Sequence, residues 1–197
     1  MKIDEIKSID GITNLAILDT SSISFLQNLQ TKITNAHNIL SAYDLILIPK
    51  WVLIELSDAV GRSTYVESLI ELGYPIKYIE EETYYELVNG EDINLFEIVW
   101  ASSSKLAKLR GYLRRYVLKE DKLEMEEYKK WINKLYDNWP LSEDVYLSKR
   151  IKKKNAGEVS ITILSEIASW YYPNLKNITI YSQDRDTFEF QKEAPSL

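Results

Sequence analysis

Four acids in this chain stand where chemistry can be assembled. Asp19 closes the apolar run Asn14-Leu15-Ala16-Ile17-Leu18, and Asp184 follows Ile178-Thr179-Ile180-Tyr181. Both runs read as buried strands. In open parallel sheets ligands bind outside the carboxyl ends of the strands, so acids placed there converge on one cleft even when far apart in sequence. Glu55 lies inside Trp51-Val52-Leu53-Ile54-Glu55-Leu56. Its helical neighbours four and three positions back are Trp51 and Val52, so its carboxylate emerges beside an apolar face. Glu158 opens a late helix on the other side, after Asn155-Ala156-Gly157.

Other chemistries lack their residues. With 0 Cys there is no disulfide scaffold, thiol nucleophile or Cys-ligated metal, a composition compatible with a reducing cytosol. The single histidine, His37, is assigned no role, and one histidine per chain removes two-histidine acid-base catalysis and multi-histidine metal centres. The 6 glycines form neither a dinucleotide-binding nor a P-loop fingerprint, and G-x-S-x-G is missing as well. What remains is carboxylate chemistry.

The elements that must hold these acids follow an alternating order. Asn14 to Leu18 is a strand, and Thr20-Ser21-Ser22 caps a helix through Phe25, Leu26 and Leu29. Leu45 to Ile48 is a buried strand, with Pro49 suited to the first position of a helix running from Trp51 to Val60. A third strand, Ile76 to Ile79, follows the turn Gly73-Tyr74-Pro75. Ile93 to about Asn138 reads as helix, another helix runs through Val159, Ile163, Leu164 and Ile167, and Ile178 to Tyr181 is the last strand. Strands separated by helices predict an α/β fold, a three-layer α/β/α arrangement around a parallel sheet of about four strands. The 197 residues suit one domain with an insertion.

In chain order, Asp19-Thr20-Ser21 after a strand, Pro49-x-x-x-x-x-Glu55, Gly157-Glu158-Val159-x-Ile161 and Ser182-x-Asp184-x-Asp186 resemble the PIN domain. The resemblance spans Leu15 to about Phe188. It implies a metal-dependent nuclease that cuts RNA with a carboxylate cluster holding Mg²⁺ or Mn²⁺. Asp19, Glu55, Glu158 and Asp184 would be the catalytic and metal-binding quartet, Asp186 a fifth ligand, and Thr20, Ser21 and Ser182 supporting groups. The sequence departs from the family at Glu158, where many members carry Asp; the interval from Glu55 to Glu158 is longer than in compact members, which places a helical insertion at about 93–154; and a fifth strand is reduced to Phe188-Glu189-Phe190 or missing. The chemistry is coherent on its own terms. Phosphodiester hydrolysis needs an activated water and relief for charge on the leaving oxygen, and hard divalent cations take oxygen ligands.

The formal net charge of -6 argues against a bulk polyanion binder. Local basic runs nevertheless flank the acids: Lys105, Lys108, Arg110, Arg114, Arg115 and Lys119, then Lys149, Arg150, Lys152, Lys153 and Lys154 immediately before Glu158. They could hold a phosphodiester backbone by charge, with Tyr112 and Tyr116 stacking bases. The expected partners are an RNA substrate, an antitoxin protein for a toxin-like member, and a second copy of the chain. The charged start and Lys2 fit neither a secretory signal nor N-myristoylation, and no apolar run approaches a membrane span, so a cytoplasmic location is expected.

Each acid also has a plainer reading. Asp19 can simply cap a helix, Asn155-x-x-Glu158 can be a capping box, Asp184 and Asp186 can solvate a loop, and Glu55 can snorkel from an apolar face. The basic runs can be solvated helix faces. A non-catalytic module that binds RNA or protein therefore competes with the nuclease. A haloacid-dehalogenase-type phosphatase also uses an Asp after the first strand, but it needs another two residues later, where this chain has Ser21.

Overall fold

A computed structural model describes residues 2–30, 39–58, 60–90, 92–116, 125–139, 141–143, 151–153 and 155–183. Its elements are β1 (Asn14–Leu18), α1 (Thr20–Gln30), β2 (Leu45–Pro49), α2 (Lys50–Ser57), α3 (Val60–Glu71), β3 (Ile76–Ile79), a 3-10 turn (Glu81–Thr83), α4 (Tyr84–Leu87), α5 (Asp92–Ser102), α6 (Ala107–Tyr116), α7 (Met125–Asp137), β4 (Leu141–Glu143), β5 (Ile151–Lys153), α8 (Ala156–Tyr171) and β6 (Asn177–Tyr181).

The four strands β3-β2-β1-β6 form one all-parallel sheet flanked by helices, a three-layer α/β/α fold. All five residues of β2 and the last four of β1 are buried, as expected of central parallel strands covered on both faces. Register sets the rim: Leu18 pairs with Tyr181, Ile17 with Leu47, and Pro49 with Ile79. The chain segments that leave β1, β2, β3 and β6 thus emerge along one edge. The edge of β3 is shielded by the N-terminal segment, where the Tyr78 amide donates to Asp4 O and the Ile6 amide to Tyr78 O.

Helix α8 is apolar nearly all round and buried accordingly, with Val159, Ile161, Ile163, Leu164 and Ile167 in the core. Its buried hydroxyls find internal acceptors: Thr162 Oγ1 donates to Glu158 O and Ser165 Oγ to Thr162 O, both at 2.8 Å.

Three local expectations are corrected. Pro49 is the last residue of β2 and the N-cap of α2, with φ -57° and ψ 148°, rather than the first helical residue. The helix predicted from Trp51 to Val60 stops at Ser57, and a separate helix starts at Val60. The stretch predicted as helix from Ile93 to about Asn138 contains α5, α6 and α7, with a turn at 103–105 between the first two, and after it β4 pairs antiparallel with β5. An amphipathic pattern does not reveal where a helix breaks, because each segment keeps its own apolar face against the core. Among the described residues no helix is long and apolar enough to cross a membrane.

Candidate functional site

Asp19 leaves the end of β1 and becomes the N-cap of α1. Its Oδ1 accepts the Ser22 amide at 2.5 Å, the hydrogen bond by which an N-cap side chain serves an otherwise unpaired helix donor. Ser21 Oγ reaches both carboxylate oxygens, at 3.0 and 2.9 Å, and Ser182 Oγ donates to Oδ2. The plainer reading of Asp19 is therefore correct, and it is incomplete. At 6% exposure the carboxylate is held in one orientation, and it still lines an open cleft.

That cleft has a volume of about 360 Å³ and is lined by Asp19, Thr20, Ser21, Ser24, Val52, Glu55, Arg62, Gly157 and Glu158. Three of the four predicted acids thus meet at the carboxyl rim of the sheet. Glu55 arrives on α2, and its Oε2 accepts Thr20 Oγ1 at 3.0 Å, so the residue after Asp19 orients the second carboxylate. Glu158 arrives in the first turn of α8, half-buried. One half of the capping box is missing, since the Asn155 side chain makes no cap hydrogen bond and its backbone is left-handed at φ 60°.

Gly157 explains how two helices can bring their glutamates into one cleft. A Cβ at this position would lie 3.1 Å from Val52 Cγ2 and 3.5 Å from Glu55 Oε2, so only glycine lets α8 approach α2 this closely without displacing a neighbour.

The supporting hydroxyls also tie the ends of β1 and β6 together. The Asp19 amide donates to Tyr181 O at 3.2 Å and the Gln183 amide to Ser21 Oγ at 2.8 Å. Asp184 and Asp186 lie outside the described residues.

No known protein family, curated protein or solved structure matches this chain. The donors facing the cleft are oxygens, which suits Mg²⁺ or Mn²⁺. Among the described residues no three acids stand close enough to enclose an ion. A closed cage is not required: Mg²⁺ commonly retains several waters and binds through one or two carboxylates plus substrate phosphate. Asp19 and Glu55 or Glu158 fit that role, with Asp19 already carrying several hydrogen bonds.

Arg62 was not singled out in the sequence. It sits on α3, whose start is tied to α1 by Gln27 Nε2 donating to Gly61 O at 3.2 Å, and it lines the cleft together with the three acids. No motif marks it, because its place depends on how α3 packs across α1.

The predicted basic surface is divided. Lys105, Lys108, Arg114 and Arg115 are exposed. Arg110 and Arg114 lie over the Trp100 ring, at 4.7 and 5.4 Å from its centroid, which joins α6 to α5. Lys153 is half-buried against Tyr136, its ammonium 3.6 Å from the ring centroid and donating to Tyr136 O, and burial lowers its pKa. It serves packing rather than an open phosphate-binding face. Lys119, Lys149, Arg150 and Lys154 lie outside the described residues, as does the side chain of Lys152. Tyr112 is half-buried and packed against the core.

Proposed function

We propose that this chain is a divalent-metal-dependent endoribonuclease of the type its motifs resemble. The observation that carries the reading is the meeting of Asp19, Glu55 and Glu158, from three separate stretches of sequence, in one cleft at the carboxyl rim of a parallel sheet. Capping alone accounts for the position of Asp19, but it does not account for two glutamates directed to the same place.

In this reading Asp19 and the glutamates would hold Mg²⁺ or Mn²⁺, which supplies charge neutralisation and an acidified water when bound. The chain's own groups do the rest. Ser21, Ser22 and Ser182 hold the Asp19 carboxylate in one rotamer, Thr20 holds Glu55, and Arg62 offers a planar donor fork for a phosphate oxygen of the substrate. Such a site contacts backbone phosphate and needs no base-specific groups.

The test is incubation of a mixed RNA pool with and without Mn²⁺, comparing wild type with Asp19→Asn and Asp184→Asn. The expected result is metal-dependent cutting that leaves 5′-phosphate and 3′-hydroxyl ends, lost in both variants while their melting stays cooperative. Equal cutting by the variants, or none by any of the proteins, would reject it. The competing reading, a non-catalytic module that binds RNA or protein, draws on the hydrogen bonds already saturating Asp19 and on the lack of a three-acid group among the described residues. RNA binding without metal-dependent cleavage would select it.

A further inference from the structure

We propose that Glu81 is a positioning residue for the cleft: one of its carboxylate oxygens accepts hydrogen bonds from the start of α2 and from the start of α8, and so sets the separation of Glu55 and Glu158. The inference rests on the cleft being a carboxylate site.

Glu81 follows β3, on the same rim of the sheet, and is 3% exposed. Its Oε1 accepts the Trp51 amide at 2.9 Å and Ser160 Oγ at 2.7 Å. Trp51 lies one helical turn before Glu55, and Ser160 two residues after Glu158. A single oxygen therefore joins the two helices that carry the glutamates of the cleft.

The clamp is braced from the rest of the fold. Tyr128 on α7 donates to Glu81 O at 2.8 Å, and the Tyr84 hydroxyl lies 2.8 Å from Ser160 Oγ. Tyr136 and Trp139 pack on the Trp51 ring at 4.9 and 5.2 Å between centroids. The inserted helical segment thus presses on the start of α2 from outside while Glu81 holds it from inside.

A buried acid is an expensive way to make this joint, since an amide would also accept two hydrogen bonds. Glu81 Oε2 has no hydrogen-bond partner among the described residues, and desolvation pushes the pKa up to about 7, against the opposing effects of Ser160, the Trp51 amide and Lys50. The charged and titratable groups around it are few. Lys50 opens α2 and is paired with Glu80 at 2.8 Å, Glu82 is its sequence neighbour, and Glu86 lies on α4. Glu158 is carried by α8. The Tyr84, Tyr128 and Tyr136 phenols are raised by burial and by Glu81, and stay neutral in the physiological range.

The joint is tested by calorimetric titration with Mn²⁺ alone, on wild type, Glu81→Gln, Glu81→Leu and Ser160→Ala, with amide spectra recorded for residues 51–55. Glu81→Gln keeps an acceptor and is expected to bind Mn²⁺ within about threefold of wild type. Glu81→Leu and Ser160→Ala are expected to weaken binding about tenfold or more, and Ser160→Ala to shift the amides of residues 51–55 on the opposite helix. If Glu81→Leu does not fold, Ser160→Ala decides. Unchanged affinity together with unmoved α2 amides in folded Ser160→Ala overturns the proposal. Moved α2 amides in a protein whose wild type binds no Mn²⁺ would uphold the joint and reject the metal reading of the cleft.

Discussion

Asp19 and Glu81 are both buried acids at the rim, and their surroundings give them opposite properties. Asp19 accepts an amide and two serine hydroxyls across its two oxygens, whereas Glu81 places all of its side-chain hydrogen bonds on one. The consequence for Glu81 is a dependence of stability on pH. Its ordinary pKa is 4.5 and burial raises it to about 7 in the folded chain. Between these values the folded protein keeps a proton that the unfolded chain has lost, so the contribution is complete below pH 4.5 and disappears as pH rises through about 7. The difference corresponds to about 3 kcal/mol at 1.36 kcal/mol per unit. Urea unfolding at pH 5 and pH 8 should show wild type losing roughly that much more stability than Glu81→Gln across the interval. Parallel curves for the two proteins would mean that the carboxyl is charged at both pH values.

Among the elements, α2 and α8 matter most, because their close approach brings two glutamates together. Gly157 permits the contact, and the spacing is tight enough that a methyl group must push the Val52 side chain aside by a few tenths of an ångström. Gly157→Ala should therefore behave unlike an ordinary helical Gly→Ala change, which is stabilising by up to about 1 kcal/mol. We expect a loss of about 1 to 2 kcal/mol in denaturant unfolding, in the range of overpacked sites, together with weaker Mn²⁺ binding. A more stable variant would show that the helices separate freely. The motif Gly157-Glu158-Val159 was legible in the sequence, but the reason for its glycine was not: Val52 lies over a hundred positions earlier, and only the packed helices show that its side chain fills the space a Cβ at 157 would need. The turn between α5 and α6 is hidden from the hydrophobic period for a related reason. The apolar residues of both helices pack into one core, so periodicity continues across that turn.

At the scale of the whole molecule, the cleft is assembled from β1, α1, α2, α3 and α8, and a ligand bridging them should stabilise the fold as a unit. At Mn²⁺ concentrations about 100 times the dissociation constant, linkage predicts about 2.7 kcal/mol, or a rise in melting temperature of roughly 5 to 11 °C for a chain of this size. Asp19→Asn should fold normally, since Asn is as good an N-cap as Asp, and should lose most of this shift. An undiminished shift in Asp19→Asn would place the ion elsewhere. The sequence by itself determined the alternating strands and helices, hence the parallel sheet, and it marked Asp19, Glu55 and Glu158, because hydrophobic period and strand-end position are local properties of the chain. It could not show that Asp19 is simultaneously a cap and a cleft wall, that Arg62 shares that wall, or that Glu81 joins two helices from beneath. Those facts depend on which side chains meet after the crossovers close, and contacts between residues distant in the chain are decided by packing and desolvation.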